Sequence, residues 1–160
     1  QNHPDLALII PEGHVVIDVD DTEQSEVLKK IVLGLGIKTK IMKTSRGLHL
    51  WFKYNAKPLT NEVKALTPIG LSVDVKSGGK KSYVKMKDSG VIRQWLHRDE
   101  EIDYIPKWLI PNKKSVDFWN LGEGSRNNTF FQYIITLQAM GFKNDEVKKT
   151  IKIINDYISK

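Results

Sequence analysis

The strongest pattern in this chain is a run of β-branched residues that ends in carboxylates. In a β-strand, successive side chains point to opposite faces. Ile17 and Val19 therefore share one face of the predicted strand, while Val16, Asp18 and Asp20 share the other. The first face is suited to a core. The second carries two acidic groups in an element where aspartate is disfavoured.

Two later segments repeat this alternation of an apolar and a polar face. The polar face of residues 48–54 carries His49, Trp51 and Lys53, and that of residues 71–76 carries Ser72, Asp74 and Lys76. The opposite, apolar faces comprise Leu48, Leu50 and Phe52 in the first segment and Leu71, Val73 and Val75 in the second. Each of the three predicted strands thus has one apolar face suited to a core and one polar face that carries candidate functional residues.

Helix and turn signals connect these strands. Asp21 or Thr22 can cap a helix that runs to Gly34 and Gly36, with an apolar face of Val27, Leu28, Ile31 and Val32. Residues 38–44 and 48–54 form a predicted hairpin through Ser45, Arg46 and Gly47. The other expected elements are a buried strand at residues 6–10, a short helix at 61–66, and a strand at 82–87 that returns antiparallel to 71–76.

The C-terminal third of the chain has a different, helical pattern. Residues 106–120, with two prolines, are interpreted as a linker between a domain at 1–111 and a helical domain at 112–160. One predicted helix has an apolar stripe made of Phe130, Phe131, Ile134 and Ile135, and is expected to form core. Asn144 is expected to cap a last helix whose apolar positions are Val147, Ile151, Ile154 and Ile158.

Composition narrows the class of protein. The chain has 160 residues, 40% hydrophobic and 28% charged, and a net charge of +6, which is compatible with an anionic partner. It has no cysteine, so disulfide frameworks and thiolate zinc sites are excluded. No apolar run is long enough to cross a bilayer, and Gln1 does not begin a signal peptide, so we expect no membrane partner and a cytoplasmic location.

The carboxylates point to a metal site. Neighbouring carboxylates repel each other and raise each other's pKa unless a cation lies between them. Mg²⁺ or Mn²⁺ are the cations that oxygen ligands of this kind favour. Two-metal nucleotidyl transfer, with two divalent ions about 3.5–4 Å apart, would explain carboxylates from several strands of a rigid sheet. A bound triphosphate would use nearby cations and N–H donors.

In order along the chain, these residues resemble the archaeo-eukaryotic primase superfamily, in the bifunctional primase–polymerase form found in phages and plasmids. The family's three motifs correspond to Ile17-Asp18-Val19-Asp20, Ser45-Arg46-Gly47-Leu48-His49 and Val73-Asp74-Val75-Lys76. The resemblance implies that Asp18, Asp20 and Asp74 are catalytic and hold two Mg²⁺ or Mn²⁺ ions, with no zinc. It also implies that the nucleotide is bound by Ser45, Arg46, Gly47, His49 and Lys76.

The same resemblance carries expectations about fold and partners. It implies an α+β fold with an RRM-like antiparallel or mixed sheet, helices on one face, and a small C-terminal helical domain of the kind that follows primase cores. Expected partners are a single-stranded DNA template, NTP or dNTP, and a replicative helicase module in the same chain or in trans, within a phage-infected or plasmid-bearing cell. Further candidates for nucleic-acid contact are Trp51, Lys80, Lys81, Arg126, Asn127 and Asn128.

Two other functions remain open from the sequence. A catalytically inactive RRM-like module would bind single-stranded nucleic acid without metal, although such sheets present aromatic residues rather than carboxylates on their open face. A metal-dependent sugar-nucleotide transferase would use the Asp18–Asp20 pair but leaves Ser45, His49 and Asp74 unexplained.

Overall fold

A computed structural model describes residues 3–55, 57–121 and 126–159. Contacts divide the chain into two compact units, one formed by Gln1–Val63 and Asp74–Ile105 and the other by Lys64–Val73 and Pro106–Lys160. The α+β class is confirmed, with antiparallel sheets and three α-helices in the described ranges, whereas the RRM-like topology stays a prediction. The boundary expected at residue 111 lies within the second unit, which also includes a segment from the middle of the chain.

The β-strands form two sheets. The larger sheet has six strands in the order β5-β6-β2-β4-β3-β9, and the smaller has three in the order β1-β7-β8. The strand β2 therefore lies between β6 and β4 and pairs antiparallel with both. The strands are β1 Leu6–Ile9, β2 His14–Val19, β3 Lys40–Lys43, β4 Leu48–Lys53, β5 Glu62–Leu66, β6 Ser72–Ser77, β7 Tyr83–Asp88, β8 Val91–Ile92 and β9 Trp95–Arg98.

Helix α1, Thr22–Gly34, contacts β2 and forms as the sequence predicts. Asp21 is its N-cap, and its side chain accepts a hydrogen bond of 2.8 Å from the Gln24 N–H, which satisfies one of the helix's unpaired donors. The buried residues of α1 include Leu28, Ile31 and Val32. Ile17 and Val19 of β2 are fully buried as well, as expected for the apolar face of that strand.

A second core lies between the two sheets. Val16 of β2 and Trp51 of β4 are buried together with Val84 of β7, and Ile10 and Ile102 complete the cluster. Burying an aliphatic side chain of this size stabilises a fold by about 1.5–3 kcal/mol. On the face of β2 that carries Asp18, Val16 is therefore buried by apolar packing. The polar part of that face begins at Asp18, two residues further along the strand.

Two expectations for the first unit are wrong. Strand β1 forms, but all four of its residues are exposed and the buried residue is Ile10, just after it. Strand β7 pairs with β1 and β8 rather than with β6. Gly78 turns the chain toward β1, because its N–H donates to the His14 carbonyl at 2.8 Å and a Cβ there would lie 1.8 Å from the Pro11 oxygen.

The helix expected at residues 61–66 is instead strand β5, Glu62–Leu66. Glu62, Lys64 and Leu66 are good helix formers, but a helix this short is marginal by itself. Pairing beside β6 supplies the backbone hydrogen bonds that such a short helix lacks. This tertiary pairing overrides the local preference.

The second unit contains α2, Arg126–Ala139, and α3, Asn144–Ile153, which continues as a π-helical turn over Ile154–Ile158. The expected linker at 106–120 is packed structure, with short 3-10 turns at Lys107–Leu109 and Phe118–Asn120. Its residues Trp108, Leu109 and Phe118 are buried. Phe118 packs with its ring centroid 5.0 Å from those of Phe130 and Tyr133.

The predicted apolar stripe of α2 is largely wrong. The buried residues are Tyr133 and Leu137, whereas Phe131, Ile134 and Ile135 are exposed. The Tyr133 hydroxyl donates to the Pro68 carbonyl at 2.7 Å, and burial raises the pKa of Tyr133 to about 12.

The predicted face of α3 is confirmed at Val147, Ile154 and Ile158, which are buried. Its N-cap is Lys143 rather than Asn144. The Glu146 side chain accepts from the Lys143 N–H at 2.9 Å, which favours a helix start at this point. In the ranges the structure describes, no helix has both the length and the apolar character needed to span a bilayer.

Candidate functional site

Three polar residues from three strands lie in one row across the larger sheet. Asp18 of β2 is the ladder partner of His49 on β4 and also of Asp74 on β6. Side chains of directly opposed residues have their Cβ atoms about 4.5–5.5 Å apart and share a face. The sequence predicts a polar face for each strand separately, and the register brings the three faces together.

Asp18 contacts two basic side chains. Its Oδ2 lies 3.3 Å from His49 Nε2 and 3.5 Å from Lys76 Nζ, and its side chain is only 16% exposed. Burial alone would raise the pKa of Asp18, but the hydrogen bond and charge of His49, followed by those of Lys76, lower it below its ordinary value. Asp18 is therefore kept ionised.

His49 is the most buried member of this row. Its side chain is 4% exposed, and its contact with Asp18 fixes the direction of the ring. The Nδ1 atom has no hydrogen-bond partner among the described residues. Buried polar atoms are usually hydrogen-bonded, so Nδ1 is an atom that a ligand or a water molecule would satisfy.

A tight turn between β3 and β4 brings Ser45 and Arg46 to the end of β2. The Thr44 N–H donates to the Gly47 carbonyl at 3.0 Å, and the Gly47 N–H donates to Thr44 Oγ1 at 3.1 Å. A Cβ on Gly47 would lie 1.7 Å from the Val19 carbonyl oxygen, so only glycine allows this approach. The turn is thereby fixed beside Asp20, the residue after Val19.

Arg46 and Asp20 form an ion pair across this junction. Arg46 Nη2 lies 2.7 Å from Asp20 Oδ2, and the two side chains are 74% and 50% exposed. Thr22 Oγ1 donates to the Arg46 carbonyl at 3.2 Å, which anchors the Arg46 backbone to the start of α1. The backbone of Arg46 is consequently fixed, whereas its side chain can rotate.

Around this row lies an open cleft of about 760 Å³. Eight of the residues singled out in the sequence line it: Asp18, Asp20, Ser45, His49, Asp74, Lys76, Lys80 and Lys81. Arg46 reaches its edge through Asp20. The interpretation of these residues as one site is thus compatible with their placement on a common cavity.

The sequence interpretation missed several other residues that line the cleft. Lys85 Nζ lies 3.2 Å from Asp88 Oδ1, and Arg93 Nη2 lies 3.3 Å from Asp88 Oδ2. The hydrogen bond from Lys85 lowers the pKa of Asp88. These residues line the cleft because β7 pairs with β1, a contact across most of the first unit that no local pattern indicates.

Asn61 is another residue that the sequence did not indicate. Its Oδ1 accepts from the Ser77 N–H at 2.8 Å, and its Nδ2 donates to Ser82 Oγ at 2.7 Å. It therefore fastens the segment before β7 to the end of β6, and it lines the cleft as well. A lone asparagine in a polar segment gives no signal for this role.

The donor atoms suit a hard divalent cation, but they are engaged in ion pairs. Carboxylate oxygens are the ligands that Mg²⁺ and Mn²⁺ prefer. Over the described ranges, however, no three His, Cys, Asp or Glu side chains are grouped closely enough to hold a metal ion. Asp18 instead contacts His49 and Lys76, and Asp20 contacts Arg46. Binding of a metal would require these contacts to change.

Four further candidates for nucleic-acid contact lie in other elements. Trp51 is 5% exposed in the core between the sheets, and its contact with nucleic acid stays a prediction. Arg126, Asn127 and Asn128 begin α2 in the second unit, where the two asparagines are exposed. Their contact with nucleic acid stays a prediction.

Comparison with known proteins identifies one family. A family model described as the N-terminal domain of bifunctional DNA primase/polymerases matches residues 1–108. The match includes all three motifs that carry the resemblance in the sequence. Searches of curated proteins and of solved structures gave no match to this chain.

Proposed function

This chain belongs to the family of bifunctional DNA primase/polymerase N-terminal domains, and on that premise we propose that it is a metal-dependent nucleotidyltransferase that copies single-stranded DNA. The substrates would be NTP or dNTP and a template strand. The observation that carries the proposal is the row formed by Asp74, Asp18 and His49, which faces a single cleft together with Asp20 and Ser45.

The reaction joins the 3′-oxygen of the growing strand to the α-phosphorus of the incoming nucleotide. The bond between the α- and β-phosphates breaks, pyrophosphate leaves, and the proton of the 3′-hydroxyl passes to water. Asp18, Asp20 and Asp74 would hold Mg²⁺ or Mn²⁺. When bound, such ions neutralise charge on the attacking oxygen and on the leaving pyrophosphate.

The chain's own residues would bind and orient the nucleotide. Lys76 forms an ion pair with Asp18 and Arg46 with Asp20, and both cations would pair with phosphate oxygens, Arg46 in a two-point contact. Ser45 would present its hydroxyl to a phosphate, and Gly47, whose own N–H is bonded to Thr44 Oγ1, would allow the turn to lie beside the carboxylates. His49, directed by Asp18, would contact the same phosphates.

The template would be bound by exposed cations at the edge of the same cleft. Lys80 and Lys81 are exposed there, and lysines bind a phosphate backbone without regard to sequence. The second unit would serve as the small helical domain that follows primase cores, with Arg126, Asn127 and Asn128 near DNA. A replicative helicase module, in this chain or in trans, would be the functional partner.

The test is a gel assay with single-stranded DNA, labelled nucleotides and Mg²⁺ or Mn²⁺, run with and without an annealed primer. We expect product in both lanes, and none with Asp18→Ala or Asp74→Ala, because each substitution removes one of the proposed metal ligands. Circular dichroism should show that both variants stay folded. A folded Asp18→Ala that still polymerises normally would disprove the assignment.

The same assay separates this proposal from its alternatives. Product only in the primed lane would indicate a polymerase without initiation activity. Tight metal-independent DNA binding with no product would favour the inactive binding module, although the burial of Trp51 removes one aromatic platform from the sheet face that such a module would use.

A further inference from the structure

Two of the three carboxylates proposed to hold metal, Asp18 and Asp20, are paired with cations proposed to hold the nucleotide. Arg46 contacts Asp20 at 2.7 Å, and Lys76 contacts Asp18 at 3.5 Å. One carboxylate oxygen, Oδ2 of Asp18, also contacts His49 at 3.3 Å. The two halves of the site, one for a cation and one for an anion, thus neutralise each other.

We propose that Arg46 and Lys76 are exchangeable counter-ions that couple the binding of nucleotide to the binding of metal. A triphosphate would draw the two cations from Asp20 and Asp18, and the released oxygens would then accept a divalent ion. The inference rests on the function proposed above and adds a regulatory property to the same site. Because coupling between two ligands is reciprocal, metal would also favour release of the cations to the nucleotide.

The geometry favours such an exchange at Arg46 in particular. Its side chain is 74% exposed and its partner Asp20 is 50% exposed, so the pair is easily opened in water. Its backbone is held by Thr22 and by the Gly47 turn, so only the side chain needs to rotate. A guanidinium makes shorter and stronger bonds to phosphate in a two-point contact than in a single contact with a carboxylate.

The exchange makes a prediction that a simple nucleotide contact does not. If Arg46 competes with metal for Asp20, then its removal should strengthen metal binding without any nucleotide present. If Asp20 competes with phosphate for Arg46, then its neutralisation should strengthen nucleotide binding without any metal present. A residue that only contacts nucleotide would give neither effect.

The first measurement is Mn²⁺ binding to the whole chain, followed by the electron paramagnetic resonance signal of free Mn²⁺. We expect Arg46→Met to bind Mn²⁺ about two- to fivefold more tightly than the wild type, the range that an exposed ion pair accounts for. Lys43→Met is the matched control, because Lys43 is an exposed cation just before the same turn and forms no ion pair with any described residue. It should change Mn²⁺ affinity little.

The second measurement is binding of a fluorescent, non-hydrolysable deoxynucleoside triphosphate in EDTA. Asp20→Asn should bind it about two- to fivefold more tightly than the wild type, and Arg46→Met more weakly, again within the range of an exposed ion pair. Glu23→Gln removes a nearby exposed acid that has no ion-pair partner within the described ranges, and serves as the control for overall charge.

The outcomes distinguish this inference from the function it rests on. The exchange would be supported if Arg46→Met strengthened Mn²⁺ binding more than Lys43→Met did, and if Asp20→Asn strengthened nucleotide binding more than Glu23→Gln did. Equal effects within either pair would overturn it while leaving wild-type polymerisation and ligand binding intact. A wild-type chain that bound neither Mn²⁺ nor nucleotide, and made no product, would overturn the proposed function as well.

Discussion

Gly47 offers the sharpest test of how the turn and the carboxylate strand are fitted together. A Cβ at this position would lie 1.7 Å from the Val19 carbonyl oxygen and 2.8 Å from its carbonyl carbon. Both are backbone atoms at the end of β2, directly before Asp20, and neither can rotate away. In Gly47→Ala the turn must therefore withdraw from the strand by more than about 1 Å, as overpacked sites do.

The size of the effect follows from this displacement. Overpacking of this kind costs about 1–3 kcal/mol of folding free energy, which corresponds to about 2–4 °C in Tm for each kcal/mol in a chain of this length. Ser45 and Arg46 move with the turn, whereas Asp20 stays with β2. A misplacement of about 1 Å between catalytic groups lowers the rate by about 100-fold.

The assay compares primer extension with thermal unfolding in Gly47→Ala and in a control, Gly36→Ala. Gly36 has φ +69°, and no described atom lies within 4 Å of the position that a Cβ would take, so alanine there meets strain but no collision. A left-handed conformation costs an alanine about 1–2 kcal/mol. The two variants should lose similar stability, and only Gly47→Ala should lose extension activity.

Two results would refute this reasoning. If Gly47→Ala kept wild-type Tm and activity, the close approach to Val19 would not exist in solution. If both glycine variants lost activity in proportion to their loss of stability, the effect of Gly47 would be one of folding rather than of site geometry.

Three further predictions test the site and the second unit. His49→Ala should raise KM for the nucleotide more than it lowers kcat in steady-state extension, and a fall in kcat alone would contradict the proposed phosphate contact. His49 and Lys76 outweigh the effect of burial and lower the pKa of Asp18 from 3.8. The ion pairs of Asp18 therefore stabilise the fold above pH 3.8, and this stabilisation is lost as the pH falls through the lowered pKa. Urea unfolding should therefore show a larger deficit for Asp18→Asn at about pH 6 than at about pH 3, and an equal deficit would contradict the pairing. Tyr133→Phe should lower the free energy of unfolding by about 1–3 kcal/mol, because it leaves the buried Pro68 carbonyl without its donor; an unchanged value in the same urea experiment would count against that bond.

The candidate site is largely predictable from the sequence because alternation within a strand is a local property. Ile17 and Val19 need a core, and this fixes the face on which Asp18 lies. The register between strands is not predictable in the same way. Only the structure shows that Asp18 is opposed by His49 on one side and by Asp74 on the other.

The contribution of Lys85 and Arg93 to the cleft is not predictable, because it depends on the pairing of two strands that are distant in sequence. Leu6 is opposed to Lys87 in the ladder between β1 and β7, and nothing near either residue specifies that partner. Residues 82–87 alternate well enough to pair with any neighbouring strand. Proximity along the chain therefore favours the wrong partner, and it gives no reason to place Lys85 and Arg93 in the cleft.

The apolar face of α2 is not predictable from the sequence for a different reason. Phe130, Phe131, Ile134 and Ile135 form a wider stripe than Tyr133 and Leu137, so hydrophobicity alone selects the wrong face. Tyr133 is preferred in the core because its hydroxyl reaches the Pro68 carbonyl and its ring packs on Phe118. Both partners come from parts of the chain whose sequence is typical of a loop and a linker.

The balance of charge in the cleft argues for a particular kind of ligand. Its lining includes five acidic residues (Asp18, Asp20, Glu62, Asp74, Asp88) and five basic ones (Lys76, Lys80, Lys81, Lys85, Arg93). The net charge of +6 therefore lies elsewhere on the chain. The paired charges that line the cleft can each find a partner in a ligand that itself carries both signs. A nucleoside triphosphate with its divalent ions is such a ligand, which is why we expect the two to bind here together rather than separately.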